Sequence, residues 1–132
     1  MARKRLPPDD PREWLNRARS NLVRAQQILS GVYLEDLCFD AQQAAEKAIK
    51  AVFIHRAETF RYVHNLKQLL ELLEKNGLKI PKYVHRAKEL TIFASEPRYP
   101  GRSGPVSKRE HGRFVRIAES VLRWAERQIG KP

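Results

Sequence analysis

Residues 34–55 read LEDLCFDAQQAAEKAIKAVFIH, and this stretch decides the fold. Its apolar residues recur every three or four positions, the spacing that places them on one face of an α-helix. That face carries Leu37, Cys38, Ala41, Ala44, Ala45, Ala48, Ile49 and Val52. Because small alanine side chains let a neighbouring helix approach closely, we predict a helix from about Leu34 to His55 at the centre of a bundle.

The opposite face of this helix is polar in the sequence, with Asp36, Asp40, Gln43, Glu46, Lys47 and Lys50. Such a face is normally solvated, so we expect Glu46 and Lys47 to be exposed. Phe39 lies on this otherwise polar side. Exposed aromatic side chains often mark an interface, which predicts a homodimer. Cys38 lies on the apolar face, where we expect a buried core thiol and not a nucleophile.

Two capping boxes begin the first and the last predicted helices. Asp10, Pro11 and Glu13 supply an N-cap, a proline at the first helical position and a capping-box glutamate, and the helix should continue to near Gly31. Residues 107–110, Ser-Lys-Arg-Glu, form the second box and begin the last helix.

Two shorter helices are predicted between them. Residues 64–73 form one, closed by Asn76 and Gly77. Pro81 opens the other, which must end by Glu96 because Pro97 disfavours helix in the residue before it. Short connections force antiparallel neighbours, which predicts an all-α, antiparallel up-and-down bundle of four to five helices. We expect one domain over residues 10–129, after a flexible basic tail at residues 1–9.

Composition limits the function classes. The chain has 132 residues with 26 Lys and Arg against 15 Asp and Glu, a net charge of +11, which favours polyanionic partners such as RNA or nucleotides. A basic, solvated surface without a ligand is the alternative. One cysteine suits a reducing compartment, and no apolar run approaches the roughly 20 residues of a membrane helix, so we expect a cytoplasmic protein.

Metal and cofactor sites have no signature in the sequence. The four histidines are scattered, one cysteine cannot build a zinc site, and the loop glycines match no phosphate-loop spacing. We therefore expect no metal and no cofactor, and the catalytic residues, if any, remain unassigned.

Residues 98–116 carry the most concentrated basic charge, with six Lys and Arg against Glu110 alone. Arginine guanidinium groups bind phosphate oxygens in pairs, and Tyr99 can stack on a base. The sequence therefore predicts a phosphate-and-base site that includes Arg98, Tyr99 and Arg102. A solvated basic surface with the tyrosine packed under the loop is the alternative.

Three motifs resemble one known family. The run at residues 39–51, FDAQQAAEKAIKA, resembles the hallmark helix of HEPN domains (higher eukaryotes and prokaryotes nucleotide-binding). His64-Asn65-Leu66 with the leucines after it, and Arg98-Tyr99-Pro100 before the last helix, agree in order and spacing. The resemblance covers essentially residues 10–128.

The resemblance implies a dimerising helical bundle from a prokaryotic setting. It implies a gene beside a minimal nucleotidyltransferase, the pair resembling a toxin–antitoxin system. The Arg-Tyr-Pro version is similar to the branch associated with nucleotide binding, and the implied binding residues are Arg98, Tyr99, Arg102, His64 and Lys47. At His64, capping or packing of its helix is the alternative.

Many relatives are metal-independent ribonucleases with an Arg, four to six residues and then a His. None of the four histidines here completes that motif. We therefore expect a protein that binds a nucleotide or RNA phosphate and works with a nucleotidyltransferase, without catalysis of its own. The alternatives are a metal-independent endoribonuclease toxin and a non-catalytic basic module that binds an acidic protein.

Overall fold

The computed structural model describes residues 4–60, 65–94 and 105–130, and these residues are helical with no strand among them. The helices are α1 (Pro11–Ala25), α2 (Leu34–His55), α3 (Leu66–Lys75), a 3₁₀ helix (Val84–Phe93) and α4 (Lys108–Ile129). The predicted all-α bundle of five helices is therefore confirmed. No helix among the described residues is both long and apolar enough to cross a bilayer.

The helix starts follow the capping residues. The Asp10 carboxylate accepts a hydrogen bond from the Arg12 backbone N–H at 2.9 Å, and Ser107 and Glu110 form the predicted capping box at the start of α4. Glu13 differs from the prediction, because its side chain accepts from the Leu6 backbone N–H instead of closing a box. α1 also ends earlier than predicted, at Ala25.

The two shorter helices differ in kind. α3 begins at Leu66, where the Asn65 side chain accepts from the Gln68 backbone N–H, and it is an ordinary α-helix. The predicted fourth helix is instead wound as a 3₁₀ helix, Val84–Phe93, with a tighter i→i+3 pattern. Its apolar residues still face the core, because Val84, Ala87 and Leu90 repeat every three positions.

α2 is buried on nearly all sides, because α1, α3, α4 and the 3₁₀ helix all pack against it. Fourteen of its 22 residues are buried. The expectation of a solvated polar face is therefore wrong for Asp40, Glu46 and Lys50, which are only 4–5% exposed. Sequence periodicity identified the alanine face correctly, but it could not show that neighbours also cover the polar side.

The end of α1 meets the start of α4. His111 is buried, and its Nε2 lies 2.7 Å from the Ala25 carbonyl oxygen at the last residue of α1. Because a carbonyl only accepts, Nε2 donates this bond and satisfies a carbonyl that the helix leaves unpaired. At the same end, the Val106 backbone N–H donates to Glu35 at the start of α2.

Cys38 is buried there as predicted. Burial, with a smaller contribution from the nearby Glu35 and Glu110 carboxylates, raises the pKa of its thiol to about 12. The thiol therefore stays protonated near neutral pH, which suits a core residue.

Candidate functional site

Of the five predicted nucleotide-binding residues, Lys47 is placed by the structure. Arg98, Tyr99, Arg102 and His64 lie outside the described residues, so their grouping with Lys47 stays a prediction. Lys47 lies in the middle of α2 and is half-buried against α1. The candidate site is therefore built outward from this lysine.

Lys47 is held by a polar network that joins α2 to α1. Its Nζ donates to the Asn21 side-chain oxygen at 2.7 Å, and the Asn21 amide nitrogen donates to Asp40 at 3.1 Å. Arg24 Nε lies 3.5 Å from the other Asp40 oxygen. Because Asn21 and Asp40 are buried, the network fixes the position of the ammonium group.

Lys47 opens onto a cleft of about 530 Å³ that carries a net positive charge, although Arg17, Arg19 and Arg24 each pair with a carboxylate, of Glu13, Glu126 and Asp40 respectively. Six cationic side chains line it, against Glu13 as the one acidic side chain among the described lining residues: Lys4, Arg5, Arg17, Arg19, Arg24 and Lys47. We call this space the basic cleft. Arg17 and Arg24 lie seven residues apart on one face of α1, about 10 Å along its axis. Their side chains are 58% and 70% exposed, so both guanidinium groups reach solvent at the cleft.

The electrostatics of the cleft disfavour a bare ammonium group. Desolvation and then the nearby Arg17 charge lower the pKa of Lys47 from 10.5, although Glu46 and Asp40 partly oppose this. Within the described residues, Lys47 has a neutral amide as its hydrogen-bond acceptor and no carboxylate at ion-pair distance. An anion bound in the cleft would supply the missing negative charge, so the arrangement suits an oxyanion.

One wall of the cleft is the segment before α1. Glu13 is buried and anchors this wall twice: Oε1 accepts from the Leu6 backbone N–H at 3.0 Å, and Oε2 accepts from Arg17 Nε at 2.6 Å. These two hydrogen bonds lower the pKa of the Glu13 carboxyl below its usual 4.5. The Glu13 carboxylate thus holds Arg17 and the backbone at Leu6 in place.

A second cavity, of about 480 Å³, adjoins the first and shares Glu13, Arg17 and Lys47 with it. Its other lining residues are less polar: Leu6, Pro8 and Trp14. The Trp14 indole is held in place, since Nε1 donates to the Pro8 carbonyl at 2.7 Å and the ring meets Phe60 edge to face. We call this space the tryptophan lobe.

Two described histidines, His111 and His85, lie elsewhere and have other contacts. His111 is committed to the Ala25 carbonyl, and His85 Nε2 lies 3.0 Å from Glu74. No group of three or more His, Cys, Asp or Glu side chains among the described residues could hold a metal ion.

The sequence reasoning missed the α1 contribution to the site. Arg17, Asn21 and Arg24 follow one another at i, i+4 and i+7, along one edge of the apolar stripe of α1. That spacing places the three side chains on one face of α1, and it is the feature of the sequence from which their contribution to the site could have been predicted. Such a stripe also describes an ordinary solvated face, and the packing of α1 on α2 is what brings it to Lys47.

Phe39, on which the predicted homodimer partly rests, is half-buried and does not project freely into solvent. It lines a cavity of about 420 Å³ together with Leu29, Val32 and Leu37. Leu29 and Val32 are partly exposed, as are Ile28 and Tyr33 beside them. The apolar surface is therefore broader than one aromatic residue and centres on the connection between α1 and α2.

Comparison with known proteins agrees with this architecture. Residues 11–128 match the HEPN domain family. The structure resembles TT1696 from Thermus thermophilus, with 31% identity over 91% of this chain and 98% of the other and a TM-score of 0.79. It also resembles ST0689, an archaeal HEPN homologue, with 27% identity over 96% and 99% of the two chains and a TM-score of 0.73. No curated protein matches the chain. Because the family match spans nearly the whole bundle, the chain belongs to the HEPN domain family.

Proposed function

We propose that this protein binds the phosphate group of a nucleotide or RNA in the basic cleft, with Lys47 as the central cation. The observation that carries the proposal is that the Lys47 ammonium donates to a neutral amide oxygen, that of Asn21. Lys47 lies half-buried among Arg17, Arg24 and other cations, with an amide as its acceptor. Leaving a desolvated cation beside other cations is unfavourable, so a structure of this kind is stabilised by an anionic ligand.

Membership of the HEPN family supports a nucleotide- or RNA-related role. We further propose that Arg98, Tyr99, Arg102 and His64 contribute to binding, that the protein is a cytoplasmic homodimer, and that it acts with a minimal nucleotidyltransferase in a toxin–antitoxin-like module. These proposals rest on the motif resemblance, together with the concentrated basic charge of residues 98–116 for the loop residues and with Phe39 for the dimer. Light scattering across micromolar concentrations tests the dimer, and a mass of 15.4 kDa throughout would contradict it.

The test of phosphate binding is calorimetric titration of the full chain with adenosine 5′-monophosphate and with a short single-stranded RNA. Lys47→Gln should lower both affinities by about tenfold or more, because a charge-assisted hydrogen bond contributes about 1.5–3 kcal/mol. RNA binding should also weaken with salt, since counterions are released when phosphates are neutralised.

Arg123→Ala is the matched control. Arg123 is 70% exposed on α4 and lies 3.5 Å from Glu119, away from the cleft lining. Equal losses for Lys47→Gln and Arg123→Ala would mean diffuse electrostatic attraction and no defined site. Arg98→Ala, run beside them, tests the predicted loop contribution: an affinity loss of about 1–3 kcal/mol is expected.

A further inference from the structure

Two adjoining cavities of different chemistry meet at Lys47. The basic cleft, on one side, is lined by the guanidinium groups of Arg17 and Arg24. The tryptophan lobe, on the other, is lined by Leu6, Pro8 and Trp14. A ligand that fills both would carry negative charge at one end and, at the other, a less polar group that packs against the Trp14 ring.

From this arrangement we propose that the two cavities form one site for a nucleoside 5′-phosphate unit, with the phosphate in the basic cleft and the base against Trp14. The inference rests on the proposed function and specifies its ligand. Volumes of about 530 and 480 Å³ are in the range of pockets that enclose small ligands. A phosphate alone would leave the tryptophan lobe unused.

Trp14 is suited to stack on a base because its orientation is fixed before binding. The Nε1 bond to Pro8 and the contact with Phe60, at a ring separation of 5.9 Å, hold the indole without closing the lobe. A fixed aromatic ring loses little conformational entropy when a ligand stacks on it. Stacking also tolerates every base, since each has a π face.

Glu13 lies at the junction of the two cavities. Both of its oxygens already accept hydrogen bonds, from the Leu6 backbone N–H and from Arg17, so Glu13 holds Arg17 at this junction. Arg17 and Lys47 line both cavities as well, so a phosphate bound by these two cations would lie next to the lobe that receives the base.

Calorimetric titration with three probes separates the two halves of the site: adenosine 5′-monophosphate, ribose 5-phosphate and adenosine. We expect the monophosphate to bind tightest. Trp14→Leu should lower its affinity by about tenfold and leave ribose 5-phosphate unchanged, because only the base contacts the indole. Lys47→Gln should weaken both phosphorylated probes alike.

These outcomes distinguish the two proposals. If Lys47→Gln changes neither phosphorylated probe, phosphate binding in the cleft fails. If Lys47→Gln weakens both but Trp14→Leu has no effect on the monophosphate, or weakens ribose 5-phosphate equally, the base site is overturned and phosphate binding stands. Tyr33→Leu is the control, since Tyr33 is 75% exposed and lines neither cavity.

Because Trp14 packs on Phe60, Trp14→Leu could destabilise the bundle, so a second variant is needed. Trp14→Phe keeps an aromatic ring and should keep most of the affinity. Fluorescence adds an independent measurement: adenosine 5′-monophosphate should quench the tryptophan emission of the unmodified protein, and Trp14→Phe should abolish the quenching while binding persists. Quenching that survives in Trp14→Phe would overturn the assignment of the base to Trp14.

A free nucleotide and the 5′ end of an RNA share this chemistry. A 5′-phosphorylated hexanucleotide RNA and the same RNA without the 5′ phosphate form the last arm. Loss of Trp14-dependent binding when the 5′ phosphate is removed assigns the site to RNA ends as well. Trp14-dependent binding of the monophosphate alone assigns it to free nucleotides, and Trp14-independent binding of every probe overturns the proposal.

Discussion

Lys47 and Lys50 lie three residues apart on α2, and their surroundings give them opposite roles. Lys50 donates to the Glu46 carboxylate at 2.9 Å, and its Nζ lies 5.2 Å from the centre of the Phe60 ring. Gln42 donates to the other Glu46 oxygen. The Lys50 ammonium is therefore buried beside a carboxylate that the protein itself supplies.

Lys47, by contrast, donates to an amide and adjoins a cleft in which cations dominate. The difference teaches that burial of a lysine does not by itself indicate function. What distinguishes a ligand site from a structural ion pair is whether the protein supplies the counterion. Lys50 has one in Glu46, whereas Lys47 has the space and the surrounding charge for an external one.

The largest expected effect is on stability at Lys50. Lys50→Ala removes the lysine that pairs with the buried Glu46 carboxylate at 2.9 Å, and breaking a buried pair in this way costs about 3 kcal/mol or more. Lys47→Ala should cost about 1 kcal/mol at most, since it removes one hydrogen bond and a partly desolvated cation. Urea denaturation of both variants measures the difference. Equal losses would remove the distinction between the two lysines.

Asn21 tests whether Lys47 must be positioned as well as present. Asn21→Ala removes the acceptor of the Lys47 ammonium and a donor to Asp40, so we expect a loss of about 1–2 kcal/mol in the free energy of unfolding. Affinity for adenosine 5′-monophosphate should fall several-fold. Gln68→Ala, at an exposed position on α3 that does not line the cleft, is the control and should change neither quantity.

The pH dependence of binding follows from the lowered pKa of Lys47. Because desolvation and Arg17 lower that pKa from 10.5, the ammonium loses its charge at a pH where an ordinary lysine keeps it. As the pH rises, the affinity for adenosine 5′-monophosphate should therefore fall at a lower pH than it would if Lys47 had the ordinary lysine pKa of 10.5. In Lys47→Arg, whose side chain stays charged, this fall should disappear. A fall of the same size in both proteins would assign the titration to another group.

The smallest expected effect concerns Glu13 and the wall of the cleft. Its pKa in the folded protein is lowered below 4.5 by the Leu6 backbone hydrogen bond and then by Arg17. The ionised carboxylate therefore stabilises the fold above about pH 4.5, and this contribution is lost as the pH falls below that value. The stability difference between the unmodified protein and Glu13→Gln should be greatest near pH 7 and shrink toward pH 3. A difference that stays constant in urea denaturation across this range would contradict the assignment.

The sequence by itself determined the helices, because their signals are local. The alanine face predicted α2 from Leu34 to His55, and Ser107 with Glu110 predicted the start of α4. Caps and periodicity depend on residues within one or two turns, so they can be read without knowledge of the fold. The run at residues 39–51 indicated the HEPN family for the same reason, because a motif is also read within one segment.

Tertiary packing decided which charges are buried and what Lys47 contacts. The i, i+4 spacing of Glu46 and Lys50 already allows an ion pair within α2, but both lysines read as members of one solvated face, and only packing shows that the Glu46–Lys50 pair is buried. Lys47 meets Asn21 from 26 residues away, and Phe60 lies over Lys50 from beyond the end of α2. These contacts depend on how α1 and the residues after α2 cover the helix. The burial of a charge is a property of the surfaces brought together, and helical periodicity in one segment does not contain it.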